Sequence, residues 1–382
     1  MRFLDIPGMK IAVKGCNSAE YMYDTAYIFV CLRISPFMRV LNIMLAQVRG
    51  GVETMSLRYH EAMTAAGIDV ISLGHSDGVL AHHLPPARFR PVNALVNHDP
   101  FAAWTLRRIA REFRPDIVLT HGNRATGIAL LPFLGTAEKT VQVVHNFRHK
   151  GQLSRLHAAI CVSESVHDSV KAAHPDMPLF TVANFGPLNE RPVKPAPEGT
   201  PVLGTLGRLH VNKGIDVMVR AMALLKAQGI KAVLKIAGDG PELPRLTRLI
   251  IDEGVSDRVQ FAGWIDEPAD YLHGLDLFVL PSRVEPFGLV VAESMAAGVP
   301  VVATDIDGPK EILQHGALGQ LCAAEDPEAL AAAIALALAD WKTTLAKARA
   351  AQVYALSQFS LEAGQTRLVD TLQQIAQKHL SP

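Results

Sequence analysis

The segment PSRVEPFGLVVAE, residues 281–293, decides the fold of this chain. A short apolar run, Leu277–Leu280, precedes it and has the length and composition of a buried parallel strand. A glycine and a proline follow it, and a second apolar run begins at Val301. The segment therefore predicts a loop and a helix between two parallel strands, with Glu285 in the loop and Glu293 along the helix.

This position suits the binding of a ligand. Open α/β sheets bind ligands in loops at the carboxyl ends of their parallel strands. The unpaired backbone N–H groups of Gly288 and Leu289 at the start of the helix suit an anionic or hydroxylated group. The carboxylate of Glu285 can accept hydrogen bonds from sugar hydroxyls. Together these features predict a pocket for a sugar nucleotide.

Glu285 and Glu293 are spaced too widely to act as the acid and the nucleophile of a retaining glycosidase. If both were helical, their backbones would lie about 12 Å apart. A retaining glycosidase needs its two carboxyl groups about 5 Å apart. We therefore interpret Glu285 and Glu293 as separate hydrogen-bonding groups along an extended ligand, and no side chain stands out as a covalent nucleophile.

Strands alternate with helices in two successive series, which predicts an α/β protein with two doubly wound parallel sheets. We expect an N-terminal domain over residues 38–190, a proline-rich linker over 191–201 and a C-terminal domain over 202–360. A helical pattern follows within 361–382. The predicted strands begin at the positions Met38, Val70, Ile117, Thr140, Ala158, Val202, Ala232, Val259, Leu277 and Val301.

Residues 1–37 form an extension ahead of the first of these strands. Met9–Val13 and the run 27–32 have the composition of strands, but neither leads into a glycine-rich loop. The extension lacks the features of a secretory signal. Two interpretations stay open: a loosely ordered tail or misassigned start, and a membrane-touching or interdomain element.

Composition excludes several classes of protein. The 382 residues carry a formal net charge of zero, which argues against a dedicated nucleic-acid binder. The four cysteines are scattered and lack zinc-site spacing, so a reducing cytosol is expected. No apolar run approaches the roughly 20 residues needed to cross a bilayer.

Four blocks of sequence, taken together, resemble the GT-B glycosyltransferases called family 4. They are GGVE at 50–53, GRLHVNKG at 207–214, GDGP at 238–241 and EPFGLVVAE at 285–293. The resemblance implies two Rossmann-like domains that face each other across a cleft, with the last helix packing back on the first domain. It also implies that the C-terminal domain holds the nucleotide sugar and that the N-terminal domain holds the acceptor.

Four side chains are predicted to be catalytic. Arg208 and Lys213 follow a predicted strand, so their charges can converge on a diphosphate without a metal. The resemblance implies that Glu285 contacts sugar hydroxyls and that His145 lies near the transferred sugar. A histidine at a strand end is also often structural, and this alternative stays open for His145 and for His121.

The resemblance implies further donor-binding and acceptor-side residues. On the acceptor side they are His121 and Asn184. On the donor side they are Gly51, Gly207, Gly238, Gly240, Trp264, Ile265, Phe287, Gly288, Leu289 and Glu293, the last of these at the ribose hydroxyls. The chain departs from the family at Asp307, which replaces the first glycine of a G-G-x-x-E segment. Asp305 and Asp307 have the spacing of a metal-binding motif but follow a different strand, so no metal site and no cofactor are expected.

The resemblance implies a retaining, metal-independent hexosyltransferase. It would move a sugar from a nucleotide-diphosphate sugar, with UDP favoured, to a hydroxyl of a cell-envelope glycolipid or polysaccharide such as lipopolysaccharide. The departing phosphate would itself deprotonate the acceptor. Two alternatives stay open: a GT-B sugar-nucleotide epimerase and a non-catalytic sugar-nucleotide binder.

The segment 101–114 has helical apolar spacing and four arginines. It predicts either an ordinary helix with solvated arginines or a surface that lies on an anionic membrane. We therefore expect a cytoplasmic protein, with peripheral contact at the inner face of the cytoplasmic membrane as the second possibility, and no nucleic-acid partner.

Overall fold

The computed structural model describes residues 2–6, 9–13, 38–47, 50–94, 96, 99–148, 151–265 and 267–380. Met1–Ile34 and Ser35–Pro382 are two separate compact units. In the first unit, strand β1 (Arg2–Ile6) pairs antiparallel with β2 (Met9–Val13). The strand expected at Met9–Val13 is confirmed, and the one expected at 27–32 lies outside the described residues.

The first half of the larger unit, called the N-lobe below, is built on a seven-stranded parallel sheet. In chain order its strands are β3 (Arg39–Met44), β4 (Asp69–Gly74), β5 (Phe89–Pro91), β6 (Ile117–His121), β7 (Thr140–Val144), β8 (Ala158–Cys161) and β9 (Leu179–Thr181). Its helices are α1 (Gly51–Ala65), α2 (Val79–His83), α3 (Pro100–Phe113), α4 (Asn123–Ala129) and α5 (Glu164–Ala173). The spatial order of the strands is β5-β4-β3-β6-β7-β8-β9.

The second half, called the C-lobe, is built on a six-stranded parallel sheet. Its strands are β10 (Val202–Leu206), β11 (Val233–Ala237), β12 (Val259–Gly263), β13 (Leu277–Leu280), β14 (Val301–Thr304) and β15 (Gln320–Cys322). Its helices are α6 (Ile215–Ala227), α7 (Leu243–Asp252), α8 (Pro268–His273), α9 (Leu289–Ala296), α10 (Asp307–Ile312), α11 (Pro327–Ala339) and α12 (Trp341–Phe359). The spatial order of the C-lobe strands is β12-β11-β10-β13-β14-β15. Short 3-10 turns occupy Pro132–Leu134, Ala137–Lys139, Gly151–Arg155, Val211–Lys213 and Gln314–Gly316.

Local sequence explains where the elements begin and end. Every residue of β6, β7, β8, β13 and β14 is buried, as expected for apolar runs covered by helices on both faces. The strand expected to reach Ser163 ends at Cys161, because the Ser163 hydroxyl accepts a hydrogen bond from Val166 N (3.2 Å) and caps α5. Gly214, the N-cap residue just before α6, has φ 61°, a conformation that favours glycine.

Both sheets confirm the expected doubly wound parallel architecture. In each sheet the strand order reverses once, between β3 and β6 in the N-lobe and between β10 and β13 in the C-lobe. Ligands of open α/β sheets bind outside the carboxyl ends of the strands at such a reversal. The fold therefore offers two candidate binding positions, one in each lobe.

The chain crosses between the lobes twice, and the two crossings lie side by side. Gly186 and Ser360 form a parallel β-bridge, and Gly186 N donates to Phe359 O (3.0 Å). Helix α13 (Leu361–Leu380) follows the second crossing and packs on α1 of the N-lobe. A Cβ on Gly364 would lie 1.9 Å from the ring of Phe185, so glycine permits this close approach.

Among the described residues, no single helix is both long and apolar enough to cross a membrane. Only the pair α11 and α12, which meet at 96°, passes that test when taken together.

Candidate active site

The C-lobe residues predicted to be catalytic lie at the reversal point of its sheet. Lys213 follows β10 and Glu285 follows β13, and the Lys213 ammonium donates a hydrogen bond to the Glu285 carboxylate. Glu285 is only 9% exposed, and the Ser282 hydroxyl lies 3.5 Å from the same oxygen. The Lys213 side chain passes over Gly207, where a Cβ would lie 3.7 Å from Lys213 Cε. The structure therefore brings Gly207, Lys213 and Glu285 together.

An internal ion pair fixes the loop that carries Lys213. The guanidinium of Arg283 binds Asp216 through two hydrogen bonds (2.8 and 3.0 Å) and donates to Val211 O (2.7 Å). Burial alone would raise the pKa of Asp216, but Arg283 and Arg245 outweigh it and lower the pKa to about 2. Asp216 is therefore ionised near neutral pH and anchors the loops after β10 and β13 to each other.

Arg208 differs from Lys213 in having no internal partner. Its side chain is exposed and forms no hydrogen bond or ion pair with any residue that the structure describes. It follows the same strand as Lys213, so both cations stand at one reversal point. A free guanidinium there is available to bind an anion.

The glycines predicted to bind the donor also have a packing role. A Cβ on Gly238 would lie 1.9 Å from Gly207 O, and one on Gly240 would lie 2.3 Å from Leu209 O. Gly238 N donates to Gly263 O (2.7 Å). These glycines let the loops after β10, β11 and β12 stack directly on one another, and their contact with a donor stays a prediction.

The remaining donor-side residues lie on the loops that follow β12 and β13. Trp264 is 64% exposed, and Ile265 beside it is half-buried. Phe287 is buried and makes an edge-to-face contact with Phe359 (ring centroids 5.5 Å apart). Gly288 has φ 94° and immediately precedes Leu289, the first residue of α9. The contact of the backbone N–H groups at this helix start with a donor stays a prediction.

Glu293 lies in α9 and faces the other lobe. Its carboxylate is 4.0 Å from the guanidinium of Arg58, which projects from α1 and also donates to Phe185 O (3.0 Å). Burial raises the pKa of Glu293, and the charge of Arg58 opposes that rise. Glu293 is therefore at the interface between the lobes and separate from the Lys213–Glu285 pair.

Two further sets of polar contacts join the lobes close to Glu285. The Ser163 hydroxyl donates to Pro286 O (2.6 Å), directly within the Glu285 loop. The Glu311 carboxylate accepts hydrogen bonds from Glu164 N (2.9 Å) and Ser165 N (2.6 Å) at the start of α5. A C-lobe carboxylate thus caps an N-lobe helix, which holds the two lobes together.

In the N-lobe, Gly51 lies at the matching reversal point. It is the first residue of α1, it follows the loop after β3, and it is exposed. A Cβ built on Gly51 would meet no atom of the described residues within 4 Å. None of the residues that the structure describes fills the space beside Gly51 at this helix start.

His121 and His145, predicted from separate strand ends, lie in direct contact. His121 Nδ1 is 3.0 Å from His145 Nε2, and His121 Nε2 is 2.9 Å from Asn42 Oδ1. Burial lowers the pKa of His145 to about 4. Burial, followed by the neighbouring His145, lowers the pKa of His121 well below its ordinary value. Both imidazoles are therefore neutral at pH 7.

Asn184 is not hydrogen-bonded to this pair. It lies at the first crossing between the lobes, next to Phe185, and its Oδ1 is buried without a hydrogen-bond partner among the described residues. A role at the acceptor stays a prediction for Asn184.

Sequence reasoning missed three residues that shape the site: Asn42, Arg58 and Glu311 in its capping role. Asn42 carries a visible signal, since it is the one amide within the apolar run of β3. Arg58 lies on a helix face like many solvated arginines, and nothing in its spacing reveals its contact with Glu293. Glu311 is the glutamate of the segment that matches the family's G-G-x-x-E, but its partners in α5 are about 147 positions away in sequence.

Comparisons with known proteins agree with this geometry. Residues 49–184 match the family model described as Glycosyltransferase Family 4, and residues 188–378 match the one described as Glycosyl transferases group 1. This chain is a group 1 glycosyltransferase. Both lobes of the glycosyltransferase are covered, so the family expected from the four sequence blocks is confirmed.

The glycosyltransferase is similar to two curated relatives from rhizobia. It is 29% identical over 263 residues to the lipopolysaccharide core biosynthesis glycosyltransferase LpsE of Rhizobium meliloti (strain 1021), covering 68% of this chain and 76% of LpsE. It is 28% identical over 324 residues to the lipopolysaccharide core biosynthesis mannosyltransferase LpcC of Rhizobium leguminosarum bv. viciae, covering 82% of this chain and 89% of LpcC.

Solved structures share the fold of the glycosyltransferase. Anabaena Alr3699/HepE in complex with UDP-glucose superposes with a TM-score of 0.74 at 21% identity, over 88% of this chain and 100% of that one. The apo form of the lipopolysaccharide outer core galactosyltransferase WaaB gives 0.70 at 16% identity, over 88% and 99%. At these identities the likeness establishes the GT-B fold.

Proposed function

We propose that this glycosyltransferase is a retaining, metal-independent enzyme that uses a UDP-sugar to glycosylate a hydroxyl of a cell-envelope glycolipid or polysaccharide such as lipopolysaccharide. The observation that carries the proposal is the arrangement at the C-lobe reversal point. There the paired Lys213 and Glu285 lie in the loops that follow the two strands flanking the reversal, and the free guanidinium of Arg208 lies in the first of these loops.

This arrangement suits a diphosphate next to a sugar. Arg208 offers a planar fork of donors and Lys213 a compact charge, and both bind phosphate oxygens well. Glu285 is the neighbouring acceptor for sugar hydroxyls. With Lys213 beside it, the carboxylate is held in place before any donor binds.

The same contacts favour transfer on one face of the sugar. Glu285 is engaged by Lys213 and Glu293 lies opposite Arg58, so neither stands free as a nucleophile. In the proposed reaction the bond from the anomeric carbon to the phosphate oxygen breaks while a bond to the acceptor oxygen forms on the same face. The acceptor proton passes to the departing phosphate. Arg208 and Lys213 stabilise the charge that grows on the diphosphate.

The choice of UDP and of an envelope acceptor comes from similar proteins. HepE was solved with UDP-glucose, and the curated relatives LpsE and LpcC are named for lipopolysaccharide core biosynthesis. These names support the donor and acceptor classes proposed for this chain.

A donor panel tests the proposal. UDP-, GDP- and ADP-sugars are screened first by thermal shift, since a ligand of the native state raises the melting temperature with its concentration. Turnover is then measured as nucleoside diphosphate release with lipid-linked or oligosaccharide acceptors, with and without EDTA. The proposal expects UDP release that EDTA leaves unchanged, and a product with the donor's anomeric configuration by NMR. An inverted product refutes retention, and conversion of the sugar alone or binding without turnover favours the epimerase or the non-catalytic binder.

We further propose that helix α3 contacts an anionic membrane at the cytoplasmic face. Phe101 and Trp104 on its outer face are 83% and 62% exposed, and Arg108 lies over the Trp104 ring at 5.6 Å. Exposed aromatics next to arginines are typical of helices that lie in a membrane interface. The opposite face, which includes Leu106, is buried in the N-lobe.

Vesicle flotation tests this contact. We expect the protein to float with phosphatidylglycerol-rich vesicles but not with phosphatidylcholine vesicles, and a Phe101→Ser/Trp104→Ser variant to lose most of the binding. The control is Ile251→Ser, which removes an equally exposed apolar side chain from the C-lobe. Equal flotation of both variants contradicts the assignment to α3.

A further inference from the structure

A chain of hydrogen-bonded side chains runs through the interior of the N-lobe and ends at His145. Ser72 Oγ is 3.0 Å from Asn42 Nδ2, Asn42 Oδ1 is 2.9 Å from His121 Nε2, and His121 Nδ1 is 3.0 Å from His145 Nε2. Ser72 and Asn42 are fully buried, and His121 is 1% exposed. Such a chain is shielded from water, so each proton must have a defined place.

One backbone group fixes the direction of the whole chain. Asn42 Nδ2 lies 2.9 Å from Ser56 O, in addition to its contact with Ser72. A backbone carbonyl can only accept a hydrogen bond, so the nitrogen of the Asn42 amide must face it. The orientation of this amide is therefore set by chemistry, and Asn42 Oδ1 must be the atom that faces His121.

The proton positions on both histidines follow. Because Asn42 Oδ1 can only accept, His121 Nε2 must carry the hydrogen. A neutral imidazole has one N–H, so His121 Nδ1 carries a lone pair and His145 Nε2 must donate to it. The result is the same if the His145 ring gains a second proton, since its Nε2 still donates.

The ring geometry agrees with a hydrogen bond in the plane of the rings. The planes of the His121 and His145 rings are inclined to each other at 28°, and their centroids are 5.3 Å apart. Because the two nitrogens are 3.0 Å apart, this centroid distance places them between the rings, as in edge-on contact. The Tyr59 ring packs against the His121 ring edge to face, at an interplanar angle of 87° and with the centroids 5.2 Å apart. His121 thus has little freedom to rotate.

We infer that Asn42 and His121 are positioning residues that hold the His145 imidazole in its Nε2–H form. His145 then meets a substrate hydroxyl only as a hydrogen-bond acceptor, through Nδ1, which has no partner among the described residues. This inference rests on the proposed function for the presence of a sugar or acceptor hydroxyl next to His145. It also means that the neutral ring has no N–H left to donate to the departing phosphate.

The protonation pattern is measurable without any substrate. In the full chain labelled with ¹⁵N-histidine, two-bond ¹H–¹⁵N correlation spectra at pH 7.5 distinguish the two neutral forms of each ring. His121→Gln and His145→Gln assign the signals. We expect both His121 and His145 as Nε2–H. A His145 ring observed as Nδ1–H overturns the inference, whatever the enzyme's activity.

Two variants test the dependence on Asn42. Asn42→Leu removes the acceptor for His121, so His145 is expected to populate both neutral forms. Ser72→Ala removes a polar neighbour but keeps the Ser56 anchor, so His145 is expected to stay Nε2–H. An unchanged His145 in a folded Asn42→Leu variant overturns the role of Asn42. If that variant does not fold, the wild-type spectrum and Ser72→Ala still decide the assignment.

A kinetic measurement separates this inference from the proposed function. With UDP-glucose as the probe donor, we expect Asn42→Leu to lower kcat at least about tenfold with little change in KM, and Ser72→Ala to change neither. A kcat in Asn42→Leu equal to that of the wild type contradicts a positioning role. Absence of UDP release by the wild type counts against the proposed donor, while the spectrum continues to decide the Nε2–H assignment.

Discussion

At its reversal point the C-lobe presents charged side chains, Arg208, Lys213 and Glu285, whereas the N-lobe presents the neutral imidazoles of His121 and His145. The two sheets share their topology, so the difference lies in the side chains that the same positions carry. In the C-lobe Lys213 and Glu285 are fixed by their ion pair, and Arg208 beside them has no partner among the described residues. In the N-lobe the polar groups are fixed by hydrogen bonds that carry no net charge.

This contrast matches the division of labour proposed for the two lobes. A diphosphate requires cations, and these stand on the C-lobe. An acceptor hydroxyl requires an oriented neutral partner, and a buried charge would be costly there.

Removing the paired cation should have the largest effect. We expect Lys213→Met to lower kcat/KM about 100-fold, or about 2.7 kcal/mol, because charge on the departing diphosphate loses its partner. Initial rates of nucleoside diphosphate release measure it. Lys226→Met, which removes the same side chain from an exposed ion pair in the last turn of α6, should leave the rate unchanged. Full recovery in a Lys213→Met/Glu285→Gln double variant would show that Lys213 serves only to neutralise Glu285.

The neutral histidines should make stability depend on pH. Burial lowers the pKa of His145 from 6.5 to about 4, so the unfolded chain binds more protons than the folded one within that range. The free energy of unfolding should therefore fall as pH drops from 6.5 towards 4, by about 2.5 kcal/mol from His145. Urea denaturation across this range measures it. His145→Gln should reduce this pH dependence without removing it, because burial also lowers the pKa of His121 and of His60. The exposed His82→Gln should leave the dependence unchanged, and equal slopes in all three proteins contradict the buried neutral state of His145.

Removing the cap between the lobes should have a smaller effect. Glu311→Ala leaves two N–H groups at the start of α5 without their acceptor, which should lower the free energy of unfolding by about 1–2 kcal/mol. Small-angle scattering should also show a larger radius of gyration if the contact helps to close the cleft. The exposed Glu328→Ala, in the first turn of α11, is the control. An unchanged stability and radius would show that the contact is incidental.

The smallest effect is expected at Asp307, where the family has glycine. Its φ of 29° lies in the left-handed region, so Asp307→Gly should stabilise the fold by about 1 kcal/mol. Burial raises the pKa of Asp307, and the nearby charges of Glu311 and Glu285 raise it further. The Asp307 carboxylate lies among other negative charges and would repel a diphosphate. We therefore expect Asp307→Gly to bind UDP a few-fold more tightly, as measured by calorimetry. Asp307→Asn keeps the side chain and removes the charge, so it should gain affinity without the gain in stability.

The sequence predicted the buried part of the fold well, because long apolar runs bounded by glycine leave little choice. β3 and β13 begin within one residue of the expected positions. The strands β5, β9 and β15 were missed because each has three residues and pairs on one side only, at a sheet edge. Such short strands are stabilised mainly by pairing with the adjacent strand, and their own sequences show almost no strand pattern.

The site was predictable where backbone contacts restrict the residue type. Gly238 and Gly240 are required by direct loop stacking, so they form a motif that is visible in sequence. Asn42 and His121 are 79 positions apart, and only the parallel pairing of β3 with β6 brings them together. The contact of Arg58 with Glu293 depends on how the lobes sit against each other, which no local pattern encodes.

The side-by-side crossings at Gly186 and Ser360 have a consequence for synthesis of the protein. Leu368, Leu372 and Ile375 of α13 are buried, so the N-lobe lacks part of its core until this helix leaves the ribosome. At about 5–20 residues per second, the chain between the two crossings takes roughly 9–35 s to translate. During this time the nascent N-lobe exposes an apolar groove along α1. We expect chaperones to protect this groove until α13 docks.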